Sequence, residues 1–312
     1  MTRPDLADNC CKPNRPASQN LPTYEAGPTR PPNPEKADDL LIALSGGSFE
    51  MGAKDGPHPE DGEGPVRNVL VDGFSMGKYS VTNRQFNRFV AASGYRTIAE
   101  ENGGSFVFLP DTEDHDLRPA RSPWWKLVRN ASWQQPKGPG SSAEEIPNHP
   151  VVHIARRDAQ VYCRWYDLRL PTEAEWEFAA RGDLHQMPFP WGDCLQPEGL
   201  SKCRTWSGQF PHPEELDAPV GPVAVGSFDA NGFGLYNMTG NVWELVADRF
   251  TNLHSPRPSS NPKGPLNGSS FVAKGGSYLC HDSYCFRYRT SSRQSVETDM
   301  TADNIGFRVA SN

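Results

Sequence analysis

Cys280 and Cys285 stand five positions apart in the segment Gly275-Gly276-Ser277-Tyr278-Leu279-Cys280-His281-Asp282-Ser283-Tyr284-Cys285-Phe286-Arg287. A thiol pair at that spacing can close a disulfide, hold a soft metal ion or attack a substrate thiol. Two thiolates alone suit two-coordinate Cu(I), an ion that soft sulfur ligands select. A structural zinc would want four ligands, and the nearby His281 is awkwardly placed as the direct neighbour of Cys280. A plain disulfide, two reduced buried thiols and a metal-free dithiol switch are the other readings. Most of these are chemistry rather than packing, so the segment decides whether the protein is an enzyme.

The rest of the chain must position that segment. Of 312 residues, 36% are hydrophobic and the mean hydropathy is −0.66, but the deficit is uneven. Residues 1–36, rich in Pro, Asn and charge, hold too little apolar surface to offset the entropy of ordering. They read as a flexible N-terminal tail, with residues 37–312 as a single domain. The 28 Gly and 30 Pro, beside 8 Trp, 9 Tyr and 15 Phe, suggest a loop-rich fold pinned by aromatic side chains. A net charge of −7 without a basic run argues against nucleic acid as a partner. No apolar stretch approaches the ~18 residues of a membrane span, and an apolar leader core is missing near the N-terminus. A cytoplasmic location is therefore expected, where thiols stay reduced. The seven cysteines are Cys10, Cys11, Cys163, Cys194, Cys203, Cys280 and Cys285, an odd number that argues against a fully paired framework.

Three helices are predicted. Val81–Ser93 opens with the capping box Thr82-x-x-Gln85 and stops at Gly94. Arg157–Asp167 places Val161, Tyr162 and Trp165 at helical spacing. A second capping box, Thr172-x-x-Glu175, leads into Trp176 and Phe178 and ends at Gly182. Short strand-like runs are Leu40–Leu44, Val69–Tyr79, Ser105–Leu109, Val151–Ile154, Phe271–Ala273 and Gly306–Val309. Long aperiodic stretches, Pro110–Glu145 and Pro188–Gly226, lie between them, and loops of that length in a compact domain are usually functional or tethered. The reading is an α+β domain of low regular content.

Several separated motifs resemble the formylglycine-generating enzyme family, the sulfatase-modifying factors. They are Gly46-Gly47-Ser48-Phe49-Glu50-Met51-Gly52, Val81-Thr82-Asn83, Ser105-Phe106-Val107-Phe108 and His149-Pro150-Val151-Val152. Further along come Arg169–Glu177, Asn231–Glu244, Gly275–Arg289 and Asn304-Ile305-Gly306-Phe307-Arg308. The resemblance implies a loop-rich, C-type-lectin-like fold and an aerobic, copper-dependent oxidase. Cys280 and Cys285 would hold Cu(I), and a client cysteine in a C-x-P-x-R peptide of an unfolded sulfatase-type hydrolase would join as a third sulfur ligand. With O2 as acceptor and a thiol reductant, that cysteine would become Cα-formylglycine. The resemblance puts Ser277 and Tyr284 around the reacting centre, and Trp243, Asn304 and Ser105 along the substrate groove. It also implies a Ca2+ site from Asn237, Gly240, Val242 and Glu244, where oxygen ligands on a tight loop are what calcium needs. The rivals are the same chemistry on another peptide or small thiol, a non-catalytic lectin-like peptide- or glycan-binding module, and a simple dithiol redox protein.

The chain departs from its relatives in four places. A second calcium site looks replaced by an Arg204–Asp217 ion pair. The disulfides of secreted relatives are expected to be missing, because Val309 faces the position of Cys163 and the other pair reads Ala180 and Thr290; Cys194 and Cys203 are taken as reduced thiols. Ser80 and Gly104 stand where some relatives flank the groove with acidic residues. Finally, the tail carries Cys11-Lys12-Pro13-Asn14-Arg15, itself a C-x-P-x-R sequence beside Cys10.

Overall fold

A computed structural model describes residues 40–109, 124–208, 210–211, 220–281, 283 and 285–312, with Pro13 and Pro28. The N-terminal half begins with β1 (Leu41–Leu44), β2 (Gly47–Met51), β3 (Arg67–Val71) and β4 (Phe74–Gly77). Helices α1 (Asn83–Ser93) and α2 (Ile98–Glu101) follow, then β5 (Gly104–Phe108) and β6 (Trp125–Arg129). After α3 (Arg156–Tyr166) and α4 (Glu173–Arg181) comes irregular chain up to β7 (Trp243–Arg249). The C-terminal part holds β8 (Ser259–Ser260), β9 (Ser270–Lys274), β10 (Arg293–Glu297), β11 (Ile305–Phe307) and β12 (Ala310–Ser311). Among the described residues no helix is long and apolar enough to cross a membrane.

The helix ends follow the capping chemistry. Thr82 N–H donates to Gln85 Oε1 at 2.7 Å while Gln85 N–H returns to Thr82 Oγ1 at 3.3 Å, and Gly94 closes α1 at φ 65°. The same reciprocal pair, Thr172 and Glu175, opens α4, which ends at Gly182 with φ 56°. Helix α3 lacks a hydroxyl cap; Asp158 Oδ2 accepts from Ala155 N–H at 2.8 Å instead. The predicted strand Val151–Ile154 is not one. His153 sits at φ 62°, and the segment's N–H groups go to Val81, Ala302 and Ile305 carbonyls from separate elements. Strand-like Val69–Tyr79 is split into β3 and β4 by a turn at Asp72-Gly73.

The central sheet runs β10-β9-β7-β11, with β7 antiparallel to β9 and parallel to β11. Alternation along β7 sends its side chains into two cores. Trp243 and Leu245 join Phe86, Phe89, Tyr162 and Phe307, the face covered by α1 and α3. Val246 joins Trp176, Ala179 and Met76, the face covered by α4. Rings supply much of the first core: Phe86 lies 5.9 Å from Tyr162 in a stacked arrangement and 5.2 Å, edge-on, from Trp133. Three smaller sheets, β1-β4-β12, β2-β3-β8 and β5-β6, complete the architecture.

Between β9 and β10 the described residues form no ladder, and buried ion pairs hold the segment. Arg287 meets Asp61, Arg289 forks onto Glu63 (2.8 Å from Nη1, with a shorter contact from Nη2), and Arg293 forks onto Glu173 at 2.7 and 2.9 Å. Ser291 Oγ also donates to Glu63 at 2.8 Å. Removing one partner of a buried pair strands the other charge, at a cost of about 3–5 kcal/mol. Glu63→Ala should therefore lower unfolding stability by roughly that amount, read as a shift in urea midpoint. A change below ~1 kcal/mol would mean that Arg289 finds water or another partner.

Candidate functional site

Three strand ends converge on the cysteine segment. Strand β9 runs out through Lys274 into Gly275-Gly276-Ser277, β7 begins at Trp243, and Asn304 immediately precedes β11. Asn304 joins all three: its carbonyl accepts from Trp243 N–H at 2.8 Å and its Nδ2 donates to Ser277 Oγ at 3.2 Å. Gly276 sits at φ 74°, and a Cβ there would lie 2.7 Å from the Arg287 carbonyl oxygen. Only glycine allows the outgoing and returning limbs of the segment to pass this closely.

Two turns then set the sulfurs. Cys280 N–H donates to the Ser277 carbonyl at 3.0 Å, and Cys285 N–H to the His281 carbonyl at 2.9 Å. The sulfurs lie 3.1 Å apart, in contact but well beyond the about 2.05 Å of a disulfide bond. Outside groups hold both cysteine carbonyls: Trp206 N–H donates to that of Cys280 at 2.9 Å, and His58 Nε2 meets that of Cys285. Cys280, Cys285, Ser277 and Asn304 are all fully buried. His281 turns to Ser283, with Nδ1 2.8 Å from Oγ.

Ser277 has a defined polarity. Its Oγ accepts from Asn304 Nδ2 and from Leu279 N–H at 3.4 Å, so its own hydrogen remains to donate within the site. Its backbone N–H points at Cys280 Sγ from 3.5 Å. Buried thiols of this softness, paired in contact, are a donor set that fits Cu(I).

Ser105 has the opposite character. His153 Nε2 lies 2.8 Å from the Pro136 carbonyl, which can only accept, so Nε2 carries the ring proton. Nδ1 must then accept the Ser105 hydroxyl hydrogen across 2.7 Å, and Thr301 Oγ1 donates to Ser105 Oγ across 2.8 Å. Ser105 is 1% exposed and its hydrogen is committed inward, so it braces β5 and offers a substrate at most a lone pair.

The residues expected to bind calcium would do so through the Asn237 and Glu244 side chains and the carbonyls of Gly240 and Val242. Asn237 fits such a role: it is buried at φ 52°, and neither end of its amide has a partner among the described residues. Glu244 Oε1 accepts from Ser80 Oγ at 2.7 Å and Arg308 Nη2 at 2.9 Å, and its Oε2 from Trp176 Nε1 at 2.7 Å and Arg308 Nε at 3.0 Å. As folded, the Glu244 carboxylate is neutralised by Arg308 and hydrogen-bonded at both oxygens. Gly240 sits at φ 73°, where a Cβ would collide with the Arg204 carbonyl, and Val242 is buried. Ser80 and Gly104, read as groove-flanking positions, are both buried; Ser80 belongs to the Glu244 network.

Tyr284, Asp217, Cys10 and Cys11 lie outside the described residues, and so does the expected Arg204–Asp217 pair. Arg204 Nε donates to the Gly221 carbonyl at 3.3 Å. Cys194 is exposed and Cys203 buried, with no disulfide between them; burial pushes the Cys203 thiol up to about 12.

Sequence reasoning missed two groups beside the site. The Lys137 ammonium is 2.7 Å from Asp303 Oδ2 and 5.6 Å above the Tyr278 ring. Asp303 Oδ2 also accepts from Phe108 N–H at 3.2 Å, tying β5 to the turn that carries Asn304. The only available signal was the position of Asp303 just before Asn304. The second group, Asp61 and Glu63, lies in an acidic run that reads locally as solvated surface.

Burial lowers the pKa of His153 from 6.5 to about 4, against the attraction of Asp303. A depressed histidine pKa means that its contribution to stability is complete above pH 6.5 and is lost as pH falls toward 4. The loss is worth roughly 3 kcal/mol over that window. The His153 ring proton signals should titrate near pH 4 in NMR spectra, and titration near 6.5 would reject the bonded, buried ring.

Residues 28–312 match the family model for a sulfatase-modifying factor enzyme 1-like domain. A formylglycine-generating enzyme of Thermomonospora curvata is 47% identical over 288 residues, covering 89% of this chain and 95% of the relative. A Bos taurus relative named inactive C-alpha-formylglycine-generating enzyme 2 is 39% identical over 279 residues, with 87% of each chain covered. Among solved structures, PvdO from Pseudomonas aeruginosa shares the fold, with a TM-score of 0.65 at 24% identity, covering 91% of this chain and 99% of PvdO.

Proposed function

Because the chain belongs to the sulfatase-modifying factor family, which holds relatives named as active and as inactive, we propose that it is a catalytic member. The proposed reaction converts a cysteine side chain in a C-x-P-x-R segment of a sulfatase-type client into Cα-formylglycine. The observation that carries this reading is the pair of buried, touching sulfurs of Cys280 and Cys285, held where three strands end. A binding module of the same fold has no need of two thiols held in contact by turns and capped carbonyls.

The balance needs an oxidant and a reductant. One client cysteine thiol, one O2 and two reductant thiols give the client aldehyde, one hydrogen sulfide, one water and one disulfide. Two of oxygen's four electrons come from the client carbon and two from the thiol reductant. Cu(I), held by the Cys280 and Cys285 thiolates, would supply the one-electron chemistry toward oxygen.

The chain's own residues contribute position and polarity. The Ser277 hydroxyl, with both lone pairs engaged, supports a donor role toward charge building on sulfur or oxygen. Asn304 orients that hydroxyl and joins it to Trp243, whose buried indole Nε1 has no partner among the described residues. That N–H is suited to a client carbonyl. Trp206, edge-on to Phe210 at 5.2 Å and donating its backbone N–H to the Cys280 carbonyl, shares a buried cluster with both cysteines, and that cover supports a dry site.

The test is to incubate copper-loaded protein with a C-x-P-x-R peptide, O2 and a thiol, and trap aldehyde with a hydroxylamine probe. Aldehyde should form with wild type and vanish in Cys280→Ser and in Cys285→Ser. No aldehyde from folded wild type would favour the binding-module reading, and aldehyde surviving in either serine variant would refute the role of the pair. Asn304→Ala should lower kcat/KM about tenfold or more, ~1.4 kcal/mol, through misorientation of Ser277.

A further inference from the structure

The N-terminal sequence Cys11-Lys12-Pro13-Asn14-Arg15 repeats, inside this chain, the pattern assigned above to the client. Of the seven cysteines only Cys11 has a proline two positions on and an arginine four positions on. Pro13, at the centre of the pattern, is among the described residues and is buried. Its neighbours Lys12 and Asn14 are polar, and residues 1–36 hold too little apolar surface for a core of their own. The cover over Pro13 therefore comes from the folded domain.

The cysteine site is covered as well. Cys280 and Cys285 are 0% exposed in the full chain, as are Ser277 and Asn304. A client peptide can reach such sulfurs only after something moves aside. A single contact accounts for both covers: the tail lying over the site that reads its pattern. The tether permits this contact. Pro13 and Leu40, where the continuously described domain begins, are 27 positions apart. Such a chain spans up to ~90 Å, and a domain of this size has a radius of gyration of only ~19 Å. Charge favours it too, because Lys12 and Arg15 make the pattern cationic in a chain of net charge −7.

We propose that the segment Cys11–Arg15 occupies the cysteine site as a built-in competitor of the client, with Pro13 as its anchor. With Pro13 seated, Cys11 is two residues away, within ~7 Å, and takes the place of the client cysteine beside Cys280 and Cys285. A tether of this kind holds its segment at roughly millimolar effective concentration, so even a ~100 µM recognition keeps the site mostly occupied. A client must then outcompete the tail, which sets a threshold on client affinity or concentration. The proposal rests on the reading of the cysteine pair as a client site.

The experiment uses the full-length chain, copper-free and kept reduced. The probe is a fluorescein-labelled Ser-Lys-Pro-Asn-Arg peptide, the tail pattern with serine in place of the reactive cysteine. Binding is read by anisotropy for wild type and for the double variant Pro13→Ala, Arg15→Ala. Both substitutions lie well before β1, and matching melting curves check that the domain is unchanged. The variant should bind the probe about tenfold more tightly, the factor expected on removing a ~1 mM competitor of ~100 µM affinity. Equal or weaker binding by the variant overturns the proposal, and so does a probe that binds neither protein. Aldehyde formation is not part of this readout, so a failure of the proposed reaction and a failure of tail docking are told apart.

Discussion

The structure depends on holding a long segment, residues 275–292, with no helix or strand among its described residues, still enough to present two sulfurs. Backbone ladders cannot do this, because the segment leaves the sheet at Lys274 and rejoins it only at Arg293. Buried ion pairs take their place. Asp61 and Glu63 reach the segment at Arg287 and Arg289, and Glu173 of α4 secures Arg293 at its end. The desolvated charges are costly alone and tolerable only together, so the cysteine segment has few alternative placements. The His58 contact to the Cys285 carbonyl carries this restraint to the reacting residues themselves.

Strand β7 divides the molecule's labour by simple alternation. Trp243 faces the aromatic core and the site, while its neighbour Glu244 faces the other core and joins Ser80, Trp176 and Arg308. Glu244 is thereby the centre of a salt-bridged post. Arg308 reaches the Gly77 and Tyr236 carbonyls as well, so that post ties the central sheet to β4 and to the loop before β7.

Much of the fold was legible locally. Reciprocal Thr–Gln and Thr–Glu caps and closing glycines marked α1 and α4, because capping satisfies orphan backbone groups from residues three apart. Strand β7 escaped notice because Trp-Glu-Leu-Val-Ala-Asp-Arg is buried on both faces and shows no alternation, and β10, Arg-Gln-Ser-Val-Glu, is too polar to read as a strand. Val151–Ile154 looked like a strand from its apolar residues, yet His153 lies in the left-handed region to meet Ser105 and Pro136. Composition cannot report a backbone angle that distant partners impose.

By itself the sequence determined the chemistry available: two thiols five apart, a serine before them, an asparagine before β11, and ordered motifs that place the chain in its family. Those are properties of residue type and order, and they survive without coordinates. Only the tertiary structure decided which groups act outward and which brace inward. Ser277 keeps its hydrogen for the site, whereas Ser105 gives its hydrogen to His153; Glu244 is spent on Arg308, and Lys137 is drawn to Asp303. The reason is that hydrogen-bond direction and charge pairing belong to partners distant in sequence, Glu63 and Arg289 being 226 residues apart, and chain order carries no record of who meets whom.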